Sequence, residues 1–187
     1  VVGDAMHSLT VLTVAEDGRL SESARDLHPY WTSAVCVLDE EQQRYLGTDV
    51  AMNLFVAERA KGTEPESPWS HVMRHAAACH VGDLVNAIHT LPGGRVMYAT
   101  ASGALGTLVH VPEPVARVLL CVQDAMIEVV PAPGDIPWES WRTSRTDTRT
   151  EPPHHILDAD VLRFFVSDPS VRSPCLDKAG SLAQARD

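Results

Sequence analysis

From Val1 to Val111 the chain is a succession of short β-prone runs, each closed by a turn signal. "HSLTVLTV" (His7 to Val14) is β-rich, and Asp17-Gly18 after it supplies a hairpin turn. "RLSESARD" (Arg19 to Asp26) is the return strand, and "TSAVCVLD" (Thr32 to Asp39) is the next run. "RYLGTD" and "MNLFVAER" follow around a turn near Thr48-Asp49. Lys61 to Ser70 is polar and carries prolines, which predicts a solvated loop. Met73 to Leu91 holds two strands meeting at Gly82-Asp83, and "RVMYATAS" with "GTLVHV" forms a last hairpin across Ser102-Gly103.

This spacing fits an all-β sandwich, a barrel or a propeller. Propeller blades take four strands in roughly 40–45 residues, so the β part would be about two and a half blades. A closed ring needs at least about four. On the propeller reading the remaining blades lie upstream, and the strand edges exposed in this piece are a liability.

At Pro112 the pattern changes. In "PEPVARVLLCVQDAMIEVVP" the polar Glu113, Arg117, Asp124 and Glu128 share one narrow stripe of a 3.6-residue helix. Pro114 sits in the first turn, where its missing N–H costs nothing, and Pro131 stops the helix. The rest is apolar, which predicts a mostly buried helix packed on the β unit. A second helix is expected at "DADVLRFFV", with Asp158 as cap and Val161, Leu162 and Phe165 on one face. Three parts follow: a β part over 1–111, a helical domain over 112–167 and an irregular or divergent tail over 168–187.

Charge narrows the partners. There are 25 acidic residues against 15 basic ones, a net charge of −10, and the lysines are Lys61 and Lys178 alone. So little cationic surface argues against direct binding of nucleic acid through its phosphates. No run of about eighteen apolar residues exists to span a membrane. The chain opens on Val-Val rather than Met, as a piece of something longer would. Cys36, Cys79, Cys121 and Cys175 are far apart and in no paired spacing, so free thiols are expected rather than a disulfide framework or zinc ribbon.

Chemistry-bearing motifs are few. His71, His75 and His80 with Cys79 are the one metal-like group, but no H-E-x-x-H pattern joins them, and scattered surface and strand histidines are the favoured reading. No G-x-S-x-G elbow exposes a serine, and "SGALG" lacks the glycine fingerprint of a phosphate cradle. Arg142, Arg145 and Arg149 alternate with Asp147 and Glu151, as in a solvated connector or a grip on an acidic partner. The stretch "SARDLHPYWTSAV" places Arg25, His28, Tyr30 and Trp31 at a proline turn. Trp, Tyr and Arg are enriched in interface hot spots, and they also build packed corners. Both roles remain open on the residues alone.

"VGDAMHSLTVL", "ARDLHPYWTSAVCVLDEE", "YLGTDVAMNLFV" and "WRTSRTDTRTEP…LDADVLRFF" occur in this order between Val2 and Val166. Together they resemble the C-terminal part of a family of large multi-propeller scaffolds. That family includes a cullin-4 ligase adaptor of UV-damaged-DNA binding, a subunit of the mRNA cleavage and polyadenylation specificity factor, and a splicing-factor subunit. The adaptor branch is the most similar. The resemblance implies the last blades of a WD40-like third β-propeller followed by a helical domain. It implies a non-enzymatic adaptor of a nuclear and cytoplasmic cullin–RING ubiquitin ligase, without cofactor or metal. Its wall would receive helical motifs of substrate receptors, cullin-4 would sit on a propeller upstream, and DNA would be met only indirectly. Arg25 and Trp31 match polar and aromatic residues of that wall. His7 stands where the branch has an arginine, His28 and Ser102 where it has asparagines, and Tyr98 where it has a phenylalanine. A sister scaffold of RNA processing, and a metallohydrolase built on His71, His75 and His80, are the competing expectations.

Overall fold

The computed structural model describes residues 1–6, 8–59 and 72–186. Strands β1 (Val2–Gly3), β2 (Leu9–Val14) and β3 (Leu20–Arg25) form an antiparallel sheet in chain order. Strands β4 (Thr32–Asp39), β5 (Arg44–Asp49), β6 (Asn53–Arg59) and β7 (Met73–His80) form a four-stranded meander. Strands β8 (Val85–Leu91), β9 (Arg95–Thr100) and β10 (Leu105–Val109) form a third antiparallel sheet. The expected turns at Asp17-Gly18, Gly82-Asp83 and Ser102-Gly103 all fall between strands. The protein is mainly β with a helical C-terminal part, and among the described residues the sheets do not close into a ring.

The β core is built where β2, β3, β5, β6 and β7 present Leu9, Ala24, Tyr45, Phe55, Ala57, Met73 and Ala78, joined by Tyr30. Phe55 is 1 % exposed, and burying a side chain of that size contributes about 1.5–3 kcal/mol. Its ring lies across Gly47 on the paired strand, where an added Cβ would overlap it. Hydroxyl groups tie the sheets together. Ser33 Oγ donates to the Val85 carbonyl at 2.7 Å, and Thr32 Oγ1 donates to the Ser8 carbonyl at 2.9 Å.

Two compact units emerge, and their limits differ from the expected ones. One unit comprises Val1–Val109 with Arg142–His155, the other His110–Trp141 with Ile156–Asp187. The span 112–167 is therefore not one helical piece. Residues 142–155 are tied to the β unit by a backbone bridge between His154 and Ala78 and by Asn53, which is 2 % exposed at the start of β6. Its Oδ1 accepts from the Arg145 backbone N–H at 2.7 Å, and its Nδ2 donates to the Arg145 carbonyl. A short hairpin, β11 (Ser144–Arg145) with β12 (Thr150–Glu151), is held to the β unit in this way.

The second unit contains helices α1 (Glu113–Val129), α2 (Trp138–Arg142), α3 (Ala159–Ser167) and α4 (Pro169–Arg186), with α2 ending as the chain passes to the other unit. Ala125, Met126 and Cys175 are fully buried, with Val122, Val130, Val161, Phe165, Val171 and Ala179 against them. Asp158 caps α3, accepting from the Asp160 N–H at 3.0 Å and from Trp138 Nε1 at 3.0 Å. Two expectations are corrected. The stretch 168–187 is not an irregular tail, because α4 runs through most of it and Val171, Cys175 and Ala179, four residues apart, form an apolar stripe. Helix α1 is less covered than its composition implies, because its packing centres on the Val122–Val130 half and leaves Val115 and Val118 at 50 % and 63 % exposed. No helix among the described residues is long and apolar enough to cross a membrane.

Candidate partner-binding corner

The corner between β3 and β4 is organised by one carboxylate. Asp26 is fully buried, and its backbone N–H donates to the Leu9 carbonyl at 2.8 Å. Its Oδ1 accepts from the His28 backbone N–H at 3.0 Å and meets His28 Nδ1 at 2.6 Å. Its Oδ2 meets His75 Nε2, from β7, at 2.7 Å. The end of β3 reaches β7 through a parallel bridge between Arg25 and Val72. Burial alone would raise the Asp26 carboxyl, but the hydrogen bonds from His28 and His75 and the His75 charge override it and hold it well below the usual carboxylate range.

Aromatic packing fixes the rest of the turn. The rings of Tyr30, Phe55 and His75 form a triangle with centroid separations of 4.9, 5.1 and 4.8 Å, and the His28 ring lies 4.2 Å from His75. Tyr30 is 3 % exposed and its hydroxyl donates to Glu151 Oε2 at 3.2 Å. Burial, reinforced by Glu151, pushes that hydroxyl upward, so it stays protonated. Trp31 turns the other way and is 60 % exposed, with Leu27 exposed on the same turn. The Trp31 carbonyl accepts from the Val50 N–H at 2.9 Å, so the side chain projects from a fixed backbone. The Arg25 guanidinium pairs with Glu22, while its Nε is buried without a hydrogen-bond partner.

Residues 1–167 match the family described as the CPSF A subunit region. This chain belongs to that family. It is also similar to DNA damage-binding protein 1 of Drosophila melanogaster, 29 % identical over 182 residues that cover 89 % of this chain and 16 % of the relative. DNA damage-binding protein 1b of Arabidopsis thaliana is 28 % identical over 180 residues, covering 88 % of this chain and 16 % of the relative. DNA damage-binding protein 1 of Solanum lycopersicum is 28 % identical over 196 residues, covering 97 % and 18 %. The chain thus spans about a sixth of the length of these relatives.

Within this CPSF A subunit region, Arg25, His28 and Trp31 share the corner, whereas Tyr98 lies on β9 and Ser102 in the turn between β9 and β10. Tyr98 stands opposite Gly106 on β10, and its ring occupies the space a Cβ there would need. It lines a shallow groove of about 430 Å³ with Ser33, Val35, Ile88 and Met97. The Ser102 hydroxyl donates to the Asp83 carboxylate. His7 and His71 lie outside the described residues. The expected His71, His75, His80 and Cys79 group does not assemble from its described members. His75 turns to Asp26 and His80 to Asn53: a bulge at Ala76 leaves both on one face of the sheet, but His80 stands at the end of β7 opposite Asn53 and His75 further along opposite Ala57. Of the arginine series, Arg149 pairs with Glu151 at 2.8 Å and Arg145 is tied through its backbone to Asn53. Reasoning from sequence missed Asp26 as a buried partner and grouped His75 with His71, His80 and Cys79 instead, because nothing local ties two positions 49 apart.

Proposed function

We propose that this chain is part of a non-enzymatic adaptor of a cullin-4 RING ubiquitin ligase in DNA repair, and that its β3–β4 corner receives helical motifs of substrate receptors. The single observation that supports this most is Trp31, 60 % exposed beside a Tyr30 that is 3 % exposed. Large, flat side chains held on rigid backbone bury much area with few rotamers to freeze, which is the physical basis of a binding hot spot. Arg25 next to it offers charge-assisted hydrogen bonds to an acidic or carbonyl-bearing partner. Similarity to DNA damage-binding proteins supports the repair context and a nuclear setting.

On this reading the sheets are blades of a propeller, and cullin-4 contacts a propeller that lies outside this stretch. Ubiquitin transfer is catalysed by other subunits. The net charge of −10 favours DNA contact through partners rather than by this region itself. The test is Trp31→Ala in the full-length protein. Receptor affinity falls by at least about 1 kcal/mol, the usual threshold of a hot spot. Unchanged affinity in a folded variant contradicts the assignment. Co-purification of cullin-4 rather than RNA-processing subunits tests the choice of branch.

A further inference from the structure

We propose that Asp26, His28 and His75 form a binding site for a divalent transition-metal ion of the zinc type, which pins the β3–β4 corner to β7. One carboxylate oxygen and two imidazole nitrogens from these residues lie within 4.8 Å of one another. Two imidazoles and one carboxylate are a donor set that Zn²⁺ accepts, with water in the fourth position. The same set suits Co²⁺ and Ni²⁺, whereas Ca²⁺ and Mg²⁺ require more oxygen.

The surroundings fit an ion. Asp26 and His75 have side-chain exposures of 0 % and 3 %, while His28 at 30 % leaves a route to solvent. The carboxylate is bonded to the two histidines and one backbone N–H, and among the described residues no lysine or arginine is hydrogen-bonded to it. The three residues come from two elements 49 positions apart in sequence, so an ion would act as a cross-link.

The geometry also sets the affinity. Metal–ligand distances of about 2.0–2.2 Å place tetrahedral donors roughly 3.3 Å apart. The present contacts are hydrogen bonds to different carboxylate oxygens, Oδ1 to His28 Nδ1 at 2.6 Å and Oδ2 to His75 Nε2 at 2.7 Å, so on binding the donors spread and the carboxylate turns one oxygen to the ion. His28, on the exposed side of the turn, makes most of that movement. A metal on His75 Nε2 leaves the proton on Nδ1, which is buried without a hydrogen-bond partner. Loss of such an outer partner typically costs about 10- to 100-fold in affinity. The site is therefore expected to bind zinc about 10- to 100-fold more weakly than one whose outer nitrogen is hydrogen-bonded.

The experiment uses the intact protein, stripped by chelator and titrated with Zn²⁺ by calorimetry and with Co²⁺ by visible absorption. The expected result is a site lost in His28→Ala, with affinity down at least tenfold, and kept in His89→Ala. His28 is partly exposed, so its variant is expected to fold, and circular dichroism checks this. His75→Gln gives a second, independent removal of a ligand. Equal zinc stoichiometry and affinity in wild type and folded His28→Ala overturn the proposal, as does a wild-type protein that binds no zinc at micromolar concentration.

Discussion

Tyr30 and Trp31 are neighbours in sequence and lie on opposite sides of one corner, Tyr30 at 3 % exposure and Trp31 at 60 %. Two adjacent aromatic residues thereby divide between the packed interior and the exposed surface of the corner. Tyr30→Ala removes a ring packed on Phe55 and His75 and is expected to destabilise the fold by about 3–5 kcal/mol. Trp31→Ala is expected to change stability by less than about 0.5 kcal/mol. Denaturant unfolding of both variants measures this contrast. A Tyr30→Ala protein as stable as wild type contradicts the packed corner.

Much of the β layout was legible because its signals are local. The run "TSAVCVLD" coincides with β4, and the Asp-Gly and Ser-Gly pairs mark turns, since alternation and turn chemistry depend on near neighbours. The Asp158 cap was legible for the same reason. The Asp26–His75 pair was not, because it requires β3 and β7 to meet across 49 positions. The Asn53–Arg145 tie spans 92 positions and was equally hidden. Helix α4 was missed because its apolar stripe is thin, one small residue in four, within polar sequence. Exposure of Trp31 was undecidable in advance, because Pro29 interrupts the alternation that would have assigned its side.

Tyr98 and Gly106 form a directly opposed pair on β9 and β10, and the aromatic ring fills the space above the glycine. Gly106→Ala is expected to cost about 1–3 kcal/mol by overpacking. In a Tyr98→Ala background the same change should cost much less, giving a coupling energy of about 0.5–3 kcal/mol in a double-mutant cycle. Additive effects within about 0.3 kcal/mol would show that the ring does not rest on Gly106.

Asn53 joins Asp49, His80 and the Arg145 backbone, and so holds a hairpin distant in sequence. Asn53→Ala leaves the Arg145 N–H and the Asp49 carboxylate short of partners. Its expected cost is about 1–3 kcal/mol, the penalty for unsatisfied buried groups. Amide exchange should accelerate at Arg145 first, before the β5–β6 ladder is affected. Uniform acceleration across the unit instead would assign Asn53 to global stability alone.

Glu58 on β6 stands directly between Arg44 on β5 and Arg74 on β7, and both guanidinium groups bond its carboxylate. Burial raises the Glu58 carboxyl, but hydrogen bonds from Arg44 and Arg74 and their charge outweigh it, leaving it below the usual range. A carboxyl depressed in the folded state stabilises above its unfolded value of about 4.3, and the contribution fades as pH falls from there through the folded value. Glu58→Gln, which cannot titrate, is therefore expected to be less stable than wild type by about 1–3 kcal/mol at neutral pH. The gap should close as pH falls below about 4.3, because protonated Glu58 and the substituted amide present similar neutral groups to the two arginines. Urea midpoints of both proteins across this range measure the effect, and a constant gap would mean that the triad is sterically rather than electrostatically coupled.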